Sequence, residues 1–222
     1  MGAIWLKWGI DAYDAIVARL RGMGEVLPPL VLRLVMGGEF WQAGLEKFRG
    51  QNWFADIQAD FPFPMNLVPA HISWTMATWF ELIGAVALWL GLGTRFFAFS
   101  LLVLTFVATA AVHWPDMWSM WSDLLAGYSV SDHGHGNFKL PLLFAVMLLP
   151  LIFSGPGKAS LDAVLRAFVF KGATPAPLID GYAVALSFVV LGIPFLLLIP
   201  TFGVTLMALA ALTAGAQRFL KG

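Results

Sequence analysis

The strongest constraint on this chain is charge inside an apolar run. Residues 33 to 48, R-L-V-M-G-G-E-F-W-Q-A-G-L-E-K-F, have the character of a membrane-spanning helix yet contain Arg33, Glu39, Glu46 and Lys47. At roughly 100° per residue, Arg33, Gly37, Phe40, Gly44 and Lys47 fall on one narrow stripe, while Glu39 and Glu46 share a different face. Glycines on the first stripe let another backbone come close, and a charge left unpaired in lipid costs at least about 2.5–3.5 kcal/mol. Such a helix cannot stand alone. Other spans must supply its packing partners and its counter-charges.

The whole chain is built for that setting. Of 222 residues, 59% are hydrophobic and only 12% charged, against roughly 25% charged in ordinary soluble domains. Basic and acidic residues balance at 13 each, so neither a nucleic-acid surface nor an acidic tail is indicated. With no cysteine, disulfides, thiolate catalysis, iron–sulfur clusters and zinc–thiolate sites are excluded together. Any redox chemistry must come from a cofactor or partner. The opening M-G-A-I-W-L-K-W-G-I-D lacks a basic segment followed by a clean apolar run, so no cleaved signal peptide is expected.

Residues 1–27 read as an amphipathic helix lying in the membrane interface, because Lys7, Asp11, Asp14 and Arg21 recur opposite Ile4, Trp8, Ala12 and Ile16. Residues 28–157 carry four spans, near 29–48, 72–92, 96–113 and 138–153, separated by a long aromatic loop, a G-L-G-T-R turn and a polar, aromatic loop. Residues 158–175 form a second interfacial helix with Ser160 as N-cap. The apolar stretch at 180–217 is too long for one span and is expected to fold as a hairpin about Pro200–Gly203, giving about six spans. A single kinked, tilted helix is the competing reading. Counting basic residues near the span ends places both termini in the cytoplasm and the two aromatic loops outside.

The spacing of several blocks carries a resemblance. Arg33, Gly37, Gly44 and Lys47, then E-L-I-G at 81–84 with L-G-L-G-T-R at 90–95, then N-F-K-L at 137–140 with G-P-G-K-A-S-L-D at 155–162, together resemble the DoxX family of small four-helix membrane proteins. The resemblance covers about residues 30 to 165. It implies an all-α bundle in the bacterial inner membrane. Some members are similar to the membrane subunit of thiosulfate:quinone oxidoreductase, which implies a quinone-linked subunit working with a separate soluble protein. The wording around P-F-P-M-N-L-V-P-A and F-K-L-P-L-L looks most like DoxX-type proteins encoded beside copper-binding peptide maturation systems. That second likeness implies a non-catalytic accessory role with a secreted or periplasmic partner. Membrane lipid is a partner in either case, and self-association is compatible with both.

Candidate site residues follow. Counted from the outer ends of their spans, Glu39 and Glu81 come out at a common depth of roughly 14 Å at about 1.5 Å per residue. Two carboxylates meeting there would hold a proton and relay it to a quinone or bind a cation; alternatively, either one simply neutralises Arg33. Lys47, Trp74 and His71 sit at the outer ends of the first two spans, where a cofactor or apolar ligand would enter beneath Trp53, Phe54, Phe61 and Phe63. Trp114, Trp118 and Trp121 belong to the same outward cluster, and interfacial anchoring is the plainer role for all of these aromatics. His113, Asp132, His133 and His135 supply a ligand set that suits copper, zinc or nickel, with copper favoured by the second likeness, although a D-H-G-H-G tract is also an ordinary solvated loop. His71 with His113 could hold a haem b. Gly37, Gly44, Gly84 and Gly91 are expected to be close-packing positions. No nucleophile–base pair or phosphate-binding loop points to a self-contained enzyme.

Overall fold

A computed structural model describes residues 2–115, 120–130, 136–169 and 176–221. Among them, every regular element is helical: α1 (Gly2–Gly24), α2 (Leu27–Arg49), α3 (Ala70–Leu90), α4 (Thr94–Ala108), α5 (Trp121–Ala126), α6 (Lys139–Phe153), α7 (Leu161–Phe168), α8 (Gly181–Leu198) and α9 (Pro200–Lys221). Local chemistry sets the boundaries. Pro28 and Pro29 occupy the first turn of α2, where a missing N–H costs nothing. α3 ends in a Schellman turn: Gly91 has φ 65°, Leu92 N donates to Ala87 O at 2.9 Å and Gly91 N to Leu88 O at 3.1 Å. The Ser160 side chain accepts from Ala163 N at 3.2 Å and starts α7 as expected.

Helices α2, α3, α4 and α6 close a ring in which each packs on the next and α6 returns to α2. Its centre is apolar: Met36 and Phe40 from α2, Ala85 and Leu88 from α3, Leu101 and Leu102 from α4, Leu148 and Leu151 from α6. Four segments are long and apolar enough to cross a membrane, Ala70–Leu90, Thr94–His113, Gly181–Leu198 and Pro200–Leu220. α6 is apolar but only 15 residues long, and α2 is long but diluted by its charges. Both complete the ring by packing against the longer apolar helices.

The C-terminal stretch is a hairpin, not a tilted rod. Gly181 N at the start of α8 donates to Gln217 Oε1 near the end of α9, at 2.9 Å. The turn is tighter than expected. The chain breaks at Ile199, and Pro200 already opens α9, because proline suits a first helical position. Gly203 then serves close packing: a Cβ there would lie 2.4 Å from Leu196 N. α8 leans on α4, and α9 packs on α8.

The loop between α2 and α3 caps one end of the ring, the lid end. Phe54 and Phe61 are buried, with Phe54 edge-on to Phe61 at 5.1 Å and to Trp74 at 5.0 Å. Gln58 Nε2 cross-ties the loop by donating to Val68 O at 3.1 Å and Asn66 O at 3.3 Å. Trp53, Phe54, Phe61 and Trp74 form one aromatic cluster there, in which Phe54 and Phe61 are buried and Trp53 is 44% exposed, whereas Phe63 lies outside it and is exposed. The opposite end, built on Gly91 and Gly155, is the turn end.

Candidate functional site

The buried stripe on α2 is the one read from the sequence: Arg33, Gly37, Phe40 and Gly44 are buried, and Lys47 is half-buried. The four glycines expected at close contacts are there. A Cβ on Gly37 would meet Trp89, on Gly44 Leu82 and Glu81, on Gly84 Leu101, and on Gly91 the Arg33 guanidinium. The pairing of charges differs from expectation. Glu81 is bound by Lys47, whose Nζ donates to both carboxylate oxygens at 2.9 Å. The side chains are only 17% and 8% exposed, so the pair lies inside the bundle. Thr78, one turn from Glu81, is also buried and spends its hydroxyl on Trp74 O at 2.8 Å.

Glu39 and Glu81 do not meet. Glu39 is exposed on the far face of α2 and finds no partner among the described residues. Glu81 instead lies against Gly44, where a Cβ would stand 3.2 Å from its Cβ. That is five residues, roughly 7.5 Å, nearer the lid end than Glu39. Depth counting failed because α3 projects past the end of α2, and the lid loop wraps the projecting turn at Trp74. A shared proton between these two carboxylates is therefore excluded as the site's chemistry in a single chain.

Arg33 does not neutralise either glutamate. It is 1% exposed and serves the turn end, where Nη1 donates to Leu88 O at 3.3 Å and to Trp89 O at 3.4 Å, and Nη2 donates to Ala159 O. A cation on the last carbonyls of α3 complements the helix dipole and ties the α6–α7 connection to α3. Arg95 repeats the device on α6, donating to Ile152 O and, at 2.7 Å, to Phe153 O. Asp162, the last residue of the G-P-G-K-A-S-L-D block, accepts from Gly93 N at 2.7 Å and Thr94 N at 3.0 Å and so caps α4. The blocks at 90–95 and 155–162 are thus one structural knot. The glycines of G-L-G-T-R and S-G-P-G-K signalled its turns, and Gly91 and Gly155 do take positive φ; nothing in one-dimensional spacing signalled that Asp162 closes it.

The two described histidines stay apart from the ion pair. His71 is exposed at the start of α3. His113 lies in a π-helical turn, Thr109–His113, that ends α4, and its Nδ1 is 2.6 Å from Asn137 Oδ1. Asp132, His133 and His135 lie outside the described residues, and no cluster of three possible metal ligands occurs among the described ones. The described residues enclose apolar hollows, of which two are notable. One of about 140 Å³ lies among Phe106, Thr109, Trp114, Phe138 and Phe195. The other is an open groove of about 390 Å³ along α3, lined by Trp41, Trp79, Leu82, Ile83, Val86 and Phe97.

Comparison with known proteins decides the family. The DoxX family model matches residues 29–114, the span containing Arg33, Lys47, Glu81 and the knot's first half. An uncharacterized protein of Haemophilus influenzae is 45% identical over 148 residues, 67% of this chain and 89% of that protein. The chain belongs to the DoxX family. No solved structure matches it. Within this DoxX protein the matched region runs from α2 through the π-helical turn, so the lid, the ion pair and the α3–α4 turn all belong to it. The α8–α9 hairpin lies beyond the matched region.

Proposed function

We propose that this DoxX protein is a quinone-linked membrane subunit of the bacterial inner membrane, with both termini cytoplasmic, in which Lys47 and Glu81 form the polar end of an apolar-ligand site. A separate soluble protein would carry out the primary redox step. One observation carries this reading: a two-oxygen ion pair held within the bundle beneath an aromatic lid. A buried ion pair is commonly no more stabilising than apolar packing of the same volume, so its presence at this depth points to use. Lys47 has a third N–H beyond the two given to Glu81, and it is the more accessible partner. A ligand carbonyl would accept that N–H, and the adjacent carboxylate would take or return a proton. Leu82 packs on Gly44 beside Glu81 and also lines the open groove, so an isoprenoid tail in the groove would lie next to the pair.

The test is titration of nanodisc-embedded protein with a short-chain quinone, followed by tryptophan quenching, which Trp41 and Trp79 in the groove should report. Glu81→Gln and Lys47→Gln are expected to weaken binding at least about tenfold while the protein remains monodisperse. Unchanged affinity in both variants, or no saturable binding by the wild type, would remove the proposal.

A further inference from the structure

The face of α2 opposite the ring carries a second pattern that the ion-pair site does not use. Arg33, Met36, Gly37, Phe40 and Gly44 point into the bundle, and the reverse face exposes Val31, Val35, Gly38, Glu39, Gln42, Glu46 and Arg49. Glu39 is roughly 18 Å from Leu27 and 15 Å from Arg49 along the helix, so this polar stripe crosses the middle of a ring helix and not only its end. Nothing within the ring occupies it, since α2 packs on α3, α6 and the end of α1. Carboxylates and an amide facing acyl chains at that depth require a partner.

The stripe is complementary to itself. Val31, Val35, Gly38, Gln42, Leu45 and Arg49 recur at alternating spacings of four and three, the repeat of a parallel helix seam. Gly38 has open space where a Cβ would stand, so it leaves room for close approach without serving any contact inside its own chain. Two chains in one membrane share an orientation, and a two-fold axis along the normal would put Gln42 opposite Gln42. The same axis sets Glu46 of each copy within a turn of Arg49 of the other, giving two reciprocal ion pairs from one patch. Glu39 would lie at the rim of the seam, near the opposing Gln42 amide and away from lipid. We propose that a second copy of this chain covers the outward face of α2, forming a parallel homodimer. This inference is independent of the quinone reading.

The natural absence of cysteine makes the test clean. Val35→Cys and Leu45→Cys should each give an oxidative cross-link at twice the chain mass in native membranes. Ile83→Cys, on the exposed face of α3, should not. In the Val35→Cys background, Glu46→Arg should cut the cross-linked fraction several-fold, and Glu46→Arg with Arg49→Glu should restore it. Restoration also shows that the single variant had not merely misfolded. The proposal is overturned by absence of dimer at both reporter positions, by equal cross-linking at Ile83, by an adduct of another mass, or by failure of the swap to restore what Glu46→Arg removes.

Discussion

Replacing Lys47 by methionine removes both donors from Glu81 while keeping the side-chain volume close to that of lysine. In the native chain the two bonds are each 2.9 Å, and the carboxylate side chain is 8% exposed. Water therefore cannot replace the lost ammonium. Truncating one partner of a buried pair typically costs about 3–5 kcal/mol, and the partial exposure of Lys47 places the expected loss near the lower end, about 3 kcal/mol. The double variant Lys47→Met/Glu81→Met leaves no buried charge, and replacing both members is often neutral or better. It should recover most of that loss, roughly 2–3 kcal/mol, so that the two single losses are far from additive. Reversible unfolding in bicelles measures all four corners of the cycle. The reasoning fails if Lys47→Met unfolds like the wild type, or if the double variant is as unstable as the two single losses added together. Either result would mean that the pair is hydrated in the membrane.

Other consequences concern the turn end and the hairpin. Gly91→Ala forces a left-handed residue with a Cβ 2.2 Å from Arg33 Nη1; it should cost more than the roughly 1 kcal/mol of backbone strain alone, measured by the same unfolding assay. Asp162→Ala removes both acceptors at the start of α4 and should destabilise by about 1–2 kcal/mol, the upper range for a lost cap, with Asp162→Asn milder. Gly203→Val drives a side chain into the Leu196 backbone and should release α9 from α8 while leaving the ring folded, seen as protease cleavage near residue 199 with unchanged protection of α3.

The one-dimensional pattern was already rich. Helix limits followed from Pro28–Pro29, the G-L-G-T-R turn and Ser160, because caps and breakers act through neighbouring backbone and need no tertiary partner. The stripe through Arg33, Gly37, Gly44 and Lys47 named the buried face of α2, since angular position on a helix depends only on residue number. The same arithmetic sets Glu39 on another face, away from Gly44 and Lys47.

Axial offset between neighbouring helices is where sequence reading ended. Gly44 and Leu82 fix how far α3 slides along α2, and that slide hands Glu81 to Lys47. Arg33 was free in sequence to seek any carboxylate, but in the fold it lies beside the last carbonyls of α3 and binds those. Angles and helix ends are local properties, written residue by residue. Heights, and hence which charges meet, are set by side chains interlocking between segments far apart in the chain, and only the packed bundle decides them.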